Sequence, residues 1–437
     1  MSSKNRTTAS KEEARPAMVP KLRFPEFRGA EGWKSVPLSR LAIRAKQKNR
    51  DEEIHRVLTN SAEFGVVDQR DFFDKDIATQ GKLEGYFVVE LGSYVYNPRI
   101  SSTAPVGPIS KNKIGTGVMS PLYTVFKFKD DKNEFYEHFF KTAGWHTYMR
   151  QASSTGARHD RMAISSDDFM AMPLPVSSPD EQQKIAECLG SLDELMAEQA
   201  RKVGALKTHK KGLMQQLFPC EGETQPRLRF PEFRNAGEWK EKRTDEWGEV
   251  LAGKALAVNA PGPLRPYLRT KNVLDGAIDV SDVLTMPMTD AEFSRFEVLD
   301  GDILLNEGQS LGLVGRASIY RGEFGQRCAM QNQLLRFRAF PSTCPEFAAQ
   351  AFRQCQKDGT FASIATQTTS VAHLGSSRFS ALRLTWPRSL AEQQRIATCL
   401  SSLDALISAE TQKLEALKTH KKGLMQQLFP SAGEPAA

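Results

Sequence analysis

The chain is 437 residues long and carries a formal net charge of +7, with 40% hydrophobic and 25% charged residues and a pI near 9.0. This length predicts two or three domains, and the basic balance suits an anionic partner such as nucleic acid. The mean hydropathy is −0.44 and no apolar run is long enough to cross a bilayer, which excludes a membrane span.

The first 18 residues are polar and lack the apolar core of a secretion signal. We therefore predict a disordered tail over 1–18 and a cytoplasmic protein. The six cysteines include no C-x-x-C pair. They are interpreted as structural thiols rather than as a zinc site or disulfides.

A segment of fifteen residues, ALKTHKKGLMQQLFP, occurs twice without a change, at 205–219 and at 416–430. The similarity extends back without a gap to an EQQ(K/R)IA motif in each copy. A second pair of similar segments, KLRFPEFRGAEGWK at 21–34 and RLRFPEFRNAGEWK at 227–240, comes earlier in each half. Two copies this far apart predict a duplicated unit, in the order LRFPEF, variable body, long helix.

Each variable body is predicted to be an α+β domain. The first body contains three β-branched and aromatic runs, a helical stretch, a polar loop and an alternating strand, at 86–90, 93–97, 122–128, 133–152, 154–161 and 170–174. The second body has two strands, a helix, a polar loop and a last strand in the same order, at 301–306, 334–340, 345–356, 366–378 and 383–387. We therefore expect two domains with one fold and different surfaces.

Both long helices begin with the same signal. Ser178 and Ser389 fit N-cap residues, and Glu181 and Glu392 stand at the third helical position, so each pair would form a reciprocal capping box. Apolar residues then recur at alternating steps of four and three. This heptad pattern predicts a coiled-coil seam rather than a broad globular face.

Two positions of the heptad seam are polar in both copies, namely Gln199 with Glu410 and Lys210 with Lys421. An antiparallel pairing that places Glu410 opposite Lys210 and Gln199 opposite Lys421 would give one polar layer, repeated about a pseudo-twofold axis. The alternative is that the lysines extend into the solvent. The apolar positions predicted to pair are Leu206, Leu213, Leu217, Leu414, Leu417, Leu424 and Leu428.

The two LRFPEF…W segments, the EQQ(K/R)IA…LD helix starts and the LKTHKKGLMQQLF helix ends resemble the specificity subunit of Type I restriction-modification systems. The likeness covers the chain from about residue 19, and YVYNPR (94–99), GVMSPLY (117–123) and TGARHDR (155–161) add to it. It implies an α+β fold with two similar target recognition domains, joined by two long antiparallel coiled-coil helices with pseudo-twofold symmetry. It also implies a non-catalytic subunit whose domains each read one half of a bipartite, asymmetric DNA target.

The same resemblance implies double-stranded DNA, two adenine methyltransferase subunits docked on the helices, and ATP-dependent restriction subunits as partners. S-adenosylmethionine, ATP and Mg would belong to those subunits, and no cofactor or metal is expected in this chain. The predicted boundaries are a tail over 1–18, a first recognition domain over 19–177, a first helix over 178–219, a second recognition domain over 220–388, a second helix over 389–430 and a tail over 431–437.

No catalytic motif fits the sequence. Asn97-Pro98-Arg99 lacks the second proline and the aromatic residue of an adenine methyltransferase loop, and the glycines at 308–315 lack the Lys-Ser/Thr of a phosphate-binding loop. The seven histidines show no HExxH or paired-ligand spacing. We therefore predict a binding protein rather than an enzyme.

Base edges in DNA are read by Arg, Lys, Asn, Gln, Ser and Thr side chains on exposed loops. The candidates are Asn97, Arg99, Ser101, Ser102, Arg158, His159 and Arg161 in the first body, and Gln309, Ser310, Thr368, Thr369, Ser370, His373 and Arg378 in the second. Taken singly, each could equally be an ordinary solvated loop residue.

The KTHKK cluster near the end of each helix is a candidate docking site, with Lys207, His209, Lys211, Lys418, His420 and Lys422. It would contact phosphate or an acidic partner, or it is simply a solvated helix end that favours lysine. Two alternatives for the whole chain also stay open. One is a free-standing DNA-binding regulator, and the other is a coiled-coil scaffold without DNA affinity, which salt-sensitive DNA retention would exclude.

Overall fold

The computed structural model describes residues 18–72, 83–155, 160–220, 222–255, 260–368 and 371–430. The chain divides into two compact units: the first unit is Met1–Gln199 with Lys413–Ala437, and the second unit is Ala200–Gln412. Each unit therefore contains one variable body, the start of one long helix and the end of the other. No helix within the described ranges is long and apolar enough to cross a membrane.

The first long helix, Pro179–Leu217, and the second long helix, Leu390–Leu428, have 39 residues each. Both start at the serine that the sequence indicates. The hydroxyl of Ser178 accepts from the backbone N–H of Glu181 at 3.3 Å, and Ser389 accepts from Glu392 at 3.4 Å. This half of the predicted capping is confirmed.

The two glutamates, however, bind the repeated LRFPEF…W segments. Glu181 accepts from Arg23 Nε and Nη2 at 2.6 and 2.8 Å and from Trp33 Nε1 at 3.0 Å. Arg229 and Trp239 hold Glu392 in the same way, at 2.7, 2.8 and 3.1 Å. The prediction that each glutamate turns back to the N-cap amide is wrong, because a guanidinium offers two charge-assisted hydrogen bonds.

A four-stranded antiparallel sheet lies at the centre of each unit, and its strand order is the same in both. The order in the first unit is Ala42–Arg44, Thr124–Phe128, Tyr94–Tyr96, Ile109–Lys111. The order in the second unit is Gly248–Ala252, Leu334–Ala339, Ile303–Asn306, Ala317–Ile319. The shared order confirms that the two bodies have one fold.

The remaining elements complete each unit. In the first unit the strand pairs are Lys34–Pro37 with Pro173–Val176, Leu58–Ser61 with Gly65–Asp68, Phe87–Val89 with Gly117–Met119, and Ser154–Thr155 with Met162–Ala163. Its short helices are Leu38–Leu41, Gln69–Phe72, Glu134–Phe139, His146–Ala152 and Ser166–Met170.

In the second unit Lys240–Arg243 pairs with Arg383–Trp386, and two three-stranded sheets are present. These sheets contain Leu284–Pro287, Leu264–Leu268 and Ala329–Met330, and Gly308–Gln309, Val371–His373 and Thr366–Thr368, each in spatial order. The short helices are Asp290–Phe296, Pro345–Lys357, Thr360–Ile364 and Ser376–Ala381.

Two predicted elements of the first body differ from the structure. The helical stretch over 133–152 is interrupted between Phe139 and His146, where Thr142 Oγ1 donates to the Phe139 carbonyl at 2.7 Å and so ends the first helix. Met170 lies in a helix rather than a strand, because Ser165 caps that helix by accepting from the Asp168 N–H. The strand begins only at Pro173.

The long helices are part of both cores. In the first unit Ile185, Leu189 and Leu428 are buried in one cluster with Trp33 and Phe135. In the second unit the same is true of Leu217, Ile396 and Leu400, which are buried with residues of that body including Phe347 and Trp386. The helices therefore share their apolar seam with the domains.

A buried polar layer joins the two long helices within each unit. In the second unit Lys210 Nζ lies 2.6 Å from both carboxylate oxygens of Asp404 and 3.0 Å from Gln350 Oε1. Gln350 and Arg353 also donate to Asp404, at 2.8 and 2.9 Å. Burial lowers the pKa of Lys210 to about 8, so the lysine is still protonated at neutral pH.

The first unit contains the equivalent layer with different partners. Lys421 forms an ion pair with Asp193, while His138 Nδ1 and Lys141 Nζ each lie 3.9 Å from that carboxylate. His138 and Lys141 thus occupy the places of Gln350 and Arg353. His138 is buried, and its Nδ1 has no hydrogen-bond partner among the described residues.

The predicted register of the helices is wrong by six residues. Lys210 faces Asp404 rather than Glu410, and Lys421 faces Asp193 rather than Gln199. Glu410 pairs instead with Lys202 at 2.5 Å. The polar partners are therefore aspartates that stand beside the seam, and Gln350 and Arg353 of the second body also donate to Asp404.

The alternative in which the lysines extend into the solvent is also excluded, because Lys210 and Lys421 are 5% and 6% exposed. Of the other predicted pairing residues, Gln199, Leu217 and Leu428 are buried, and the half-buried ones are Leu206, Leu213, Leu414, Leu417 and Leu424.

Replacing His138 with glutamine is expected to make the protein more stable in mild acid. Burial, helped by Lys421 and Lys141, lowers the pKa of His138 to about 4. The unfolded chain takes up the proton near pH 6.5, so this residue costs stability progressively as the pH falls from about 6.5 to about 4, by about 3 kcal/mol at most. Urea unfolding across this pH range measures the loss, which His138→Gln should remove.

The matched control is Gln350→His, which places the same imidazole in the equivalent layer. We expect this variant to lose stability as the pH falls from about 6.5 to about 4, beyond any loss in the parent. His146 also has a pKa lowered by burial, so only the difference between each variant and the parent is assigned to the layer. Parallel pH profiles for all three proteins would contradict the prediction.

Candidate nucleic-acid interface

A turn at the end of one sheet strand carries the first group of predicted DNA-binding residues. Asn97 follows the strand Tyr94–Tyr96, and its side chain holds the turn: Nδ2 donates to the Asn60 carbonyl at 2.9 Å, and Oδ1 accepts from the Arg99 N–H at 3.0 Å. Asn97 is half-buried, and Arg99 is 60% exposed. Asn97 therefore positions the turn, and Arg99 is offered to the solvent.

The next turn presents two serines. Ser101 and Ser102 are exposed, and the Ser101 hydroxyl accepts from the Ala104 N–H at 3.1 Å. The Ser101 carbonyl also accepts from the same N–H, at 3.2 Å. Ser102 is thus held at the tip of a fixed turn.

A hairpin from the polar loop packs against this strand end. The hairpin strands are Ser154–Thr155 and Met162–Ala163, and the Met162 N–H donates to the Pro98 carbonyl at 2.9 Å. A backbone bridge places Arg161 beside Arg99. Asp160 lies 3.9 Å from Arg99 and 3.8 Å from Arg161, so one carboxylate offsets two guanidinium groups. Arg158 and His159, also predicted, lie outside the described residues.

The second unit has the same arrangement. Gly308–Gln309 follows the sheet strand Ile303–Asn306 and pairs with Val371–His373, which pairs on its other side with Thr366–Thr368. The structure thus brings Gln309, His373 and the backbone of Thr368 into one small sheet. Thr369 and Ser370, also predicted, lie outside the described residues.

Arg378 braces this hairpin. Its Nη2 donates to Thr366 Oγ1 at 2.8 Å and to the His373 carbonyl at 3.2 Å. His373 Nδ1 lies 3.6 Å from Glu307 Oε2. Ser310 is exposed, and its carbonyl accepts from Leu313 and Val314 N–H groups at 2.9 and 3.0 Å. The loop after Gln309 is therefore a defined turn.

Sequence reasoning missed the apolar part of this surface. Leu311, Leu313 and Val371 are large hydrophobic residues that are exposed on the loop and the hairpin. The signal was present in GQSLGLVG at 308–315, where leucines stand in a loop that has no helical or strand period. An apolar side chain in such a place can contact a thymine methyl group.

The predicted docking residues lie on the exposed faces of the long helices. The exposed residues are Lys207, His209, Lys211, Lys418, His420 and Lys422. Lys418 forms an ion pair with Glu415 at 2.8 Å, one turn earlier on the same helix. Both KTHKK clusters are therefore accessible to a partner.

One frame thus occurs twice in the chain, and each copy presents a hairpin and a strand end with different side chains. Residues 236–419 match the family model of the Type I restriction modification DNA specificity domain. The repeated segments carry the same frame into the first half. Residues 236–419, in the second half of the chain, therefore contain a Type I restriction modification DNA specificity domain.

Relatives in sequence agree with this assignment. The putative type I restriction enzyme MjaX specificity subunit of Methanocaldococcus jannaschii is 26% identical over 165 residues, 38% of this chain and 39% of that protein. The type I restriction enzyme EcoKI specificity subunit of Escherichia coli K12 is 24% identical over 251 residues, 53% of this chain and 48% of that protein. The alignments therefore span less than half of these curated relatives.

Solved structures agree in fold. The S subunit of a Type I restriction-modification system from M. genitalium has a TM-score of 0.56 at 13% identity, over 95% of this chain and 100% of that one. A chain from a study of complex assembly and conformational transition in a type I R-M system has a TM-score of 0.53 at 15% identity, over 92% and 98%. The matches extend over both units.

Proposed function

We propose that this chain is the DNA-recognition subunit of a Type I restriction-modification complex, with one half of a bipartite target read by each unit. The observation that carries the proposal is the repeated frame with two different surfaces. Arg99 and Arg161 dominate the first surface, whereas Gln309, His373 and exposed leucines form the second. Different side chains on one scaffold suit different half-sites.

The chain supplies recognition and leaves the chemistry to partner subunits. In this proposal two methyltransferase subunits dock on the long helices, and restriction subunits join the complex. The identical KTHKK clusters at both helix ends are the docking sites, because equal surfaces suit two copies of one partner. S-adenosylmethionine, ATP and Mg are bound by those partners.

Methylome sequencing tests the proposal directly. A strain that expresses this chain with its methyltransferase should show a split, adenine-methylated motif. Exchanging residues 35–177 for another body should alter one half of the motif, and exchanging 241–388 should alter only the other half. An active methyltransferase that methylates no split motif would overturn the proposal.

A free-standing DNA-binding regulator is the alternative. Its prediction differs, because such a protein would bind one site tightly without partners and would leave the methylome unchanged.

A further inference from the structure

A row of basic side chains follows the first sheet strand of the first unit. Lys46, Lys48 and Arg50 alternate along the chain, and all three are exposed. The backbone here is extended and fixed: the Ala45 N–H donates to Val125 at 2.8 Å, and the Gln47 carbonyl accepts from Val88 at 2.9 Å. Alternate residues of extended backbone share one face and lie about 6.6 Å apart. Lys46 and Lys48 therefore share one face, and Arg50 follows in the turn after Asn49; these three exposed cations are called the basic row.

The basic row follows the end of its sheet strand, at the same edge of the sheet as the turn that carries Asn97 and Arg99. Strands Ala42–Arg44 and Tyr94–Tyr96 are both antiparallel to Thr124–Phe128, so they point the same way and end at one edge. Arg44 and Tyr94 pair with the same residue, Phe126. Lys46 is therefore level with the end of the strand before Asn97, two strands or about 10 Å away.

The charges of the basic row are available to a ligand. Within the part of the chain that the structure describes, no ion pair involves Lys46, Lys48 or Arg50. Asp51 lies in the same turn as Arg50, which the Glu52 N–H closes by donating to the Asn49 carbonyl, and Glu53 follows it; neither carboxylate forms an ion pair with the three cations among the described residues. The Glu52 carboxylate itself accepts from the backbone N–H groups of residues 83 and 84.

The second unit lacks this row. Lys48 and Lys254 occupy equivalent places in the sheet register: Arg44 pairs with Phe126 and Val250 with Phe337, and each lysine comes four residues later. Lys254 forms an ion pair with Glu292, and Ala252 stands where the first unit has Lys46. Leu256, the counterpart of Arg50 in the sequence, is uncharged and lies outside the described residues. The two units therefore differ in free positive charge at this edge.

We propose that Lys46, Lys48 and Arg50 bind the phosphate backbone of DNA beside the half-site read by the first unit. This inference rests on the proposed function. Each contact between a cation and a phosphate releases counterions, so it steepens the salt dependence of binding and carries no sequence information. The first unit thus contributes more of the sequence-independent affinity than the second.

The test compares two variants of the full chain with equal loss of charge. In one, Lys46, Lys48 and Arg50 are replaced by glutamine. In the control, the exposed cations Arg40, Lys129 and Lys132, at the opposite edge of the same sheet, are replaced by glutamine. Fluorescence anisotropy with a duplex of random sequence, over a series of KCl concentrations, gives the slope of log K against log salt.

The basic-row variant is expected to lower this slope by about 2 to 3, at about 0.9 for each phosphate contact, and the control should lower it far less. The methylated motif should be the same as in the parent, whereas Arg161→Ala should change it. Equal slopes for the two variants, or no duplex binding by the parent, overturn the inference. A split methylation motif in the parent strain would leave the proposed function standing in either case.

Discussion

Arg229→Ala is expected to destabilise the second unit by about 3 to 5 kcal/mol, because it leaves a buried carboxylate without its cation. Glu392 is 1% exposed and would keep only the hydrogen bond from Trp239 Nε1. The same loss is expected in the first unit from Arg23→Ala, since Glu181 is equally buried. Urea unfolding followed by circular dichroism measures both.

Arg227→Ala is the matched control, because Arg227 lies two residues away, is exposed, and forms an ion pair with Glu223 on the surface. It should unfold like the parent. The double variant Arg229→Ala, Glu392→Ala should cost clearly less than the sum of the single variants. If Arg229→Ala had the same stability as Arg227→Ala, the ion pair between Arg229 of the LRFPEF segment and Glu392 at the helix start would not stabilise the fold.

Lys210→Asp is expected to cost at least about 3 kcal/mol, because it sets a second carboxylate against Asp404 in a buried layer. Adding Asp404→Lys should restore part of the loss. The rescue is partial, since Arg353 would then face a lysine rather than an aspartate. The free energy of unfolding of the three proteins measures the effect.

A second double variant, Lys210→Asp with Glu410→Lys, decides between the two registers. It should restore none of the lost stability, because Glu410 pairs with Lys202. Lys211→Asp, on the exposed face of the same helix, is the control for helix charge and should have little effect. Rescue by Glu410→Lys but not by Asp404→Lys would restore the register that the heptad pattern suggested.

The aspartates that pair with Lys421 and Lys210 lie in repeated segments of the sequence, but no pattern marks them. Asp193 and Asp404 belong to the SLD and SSLD motifs that both helix starts contain, yet a half-exposed aspartate beside a seam carries no periodic signal. Likewise Arg23 and Glu181 stand in repeated segments, but the sequence does not show that the two segments contact each other.

The sequence by itself determined the duplication, the two long helices with their N-cap serines, and the main strands of each body. These features depend on near neighbours: capping, heptad spacing and runs of β-branched or aromatic residues are all local patterns. They can be read without knowing what the elements pack against.

Only the tertiary structure decided the helix register and the partners of Glu181 and Glu392. It also decided that Arg99 lies next to Arg161 and that the basic row lies at the same edge of the sheet as Asn97. Each of these depends on residues far apart in the chain. The partners of the buried lysines are aspartates that stand beside the heptad seam, and the distant side chains of Gln350 and Arg353 also donate to Asp404. The strand order of the sheet, rather than any local pattern, places Lys46 at the same edge as Asn97, two strands away.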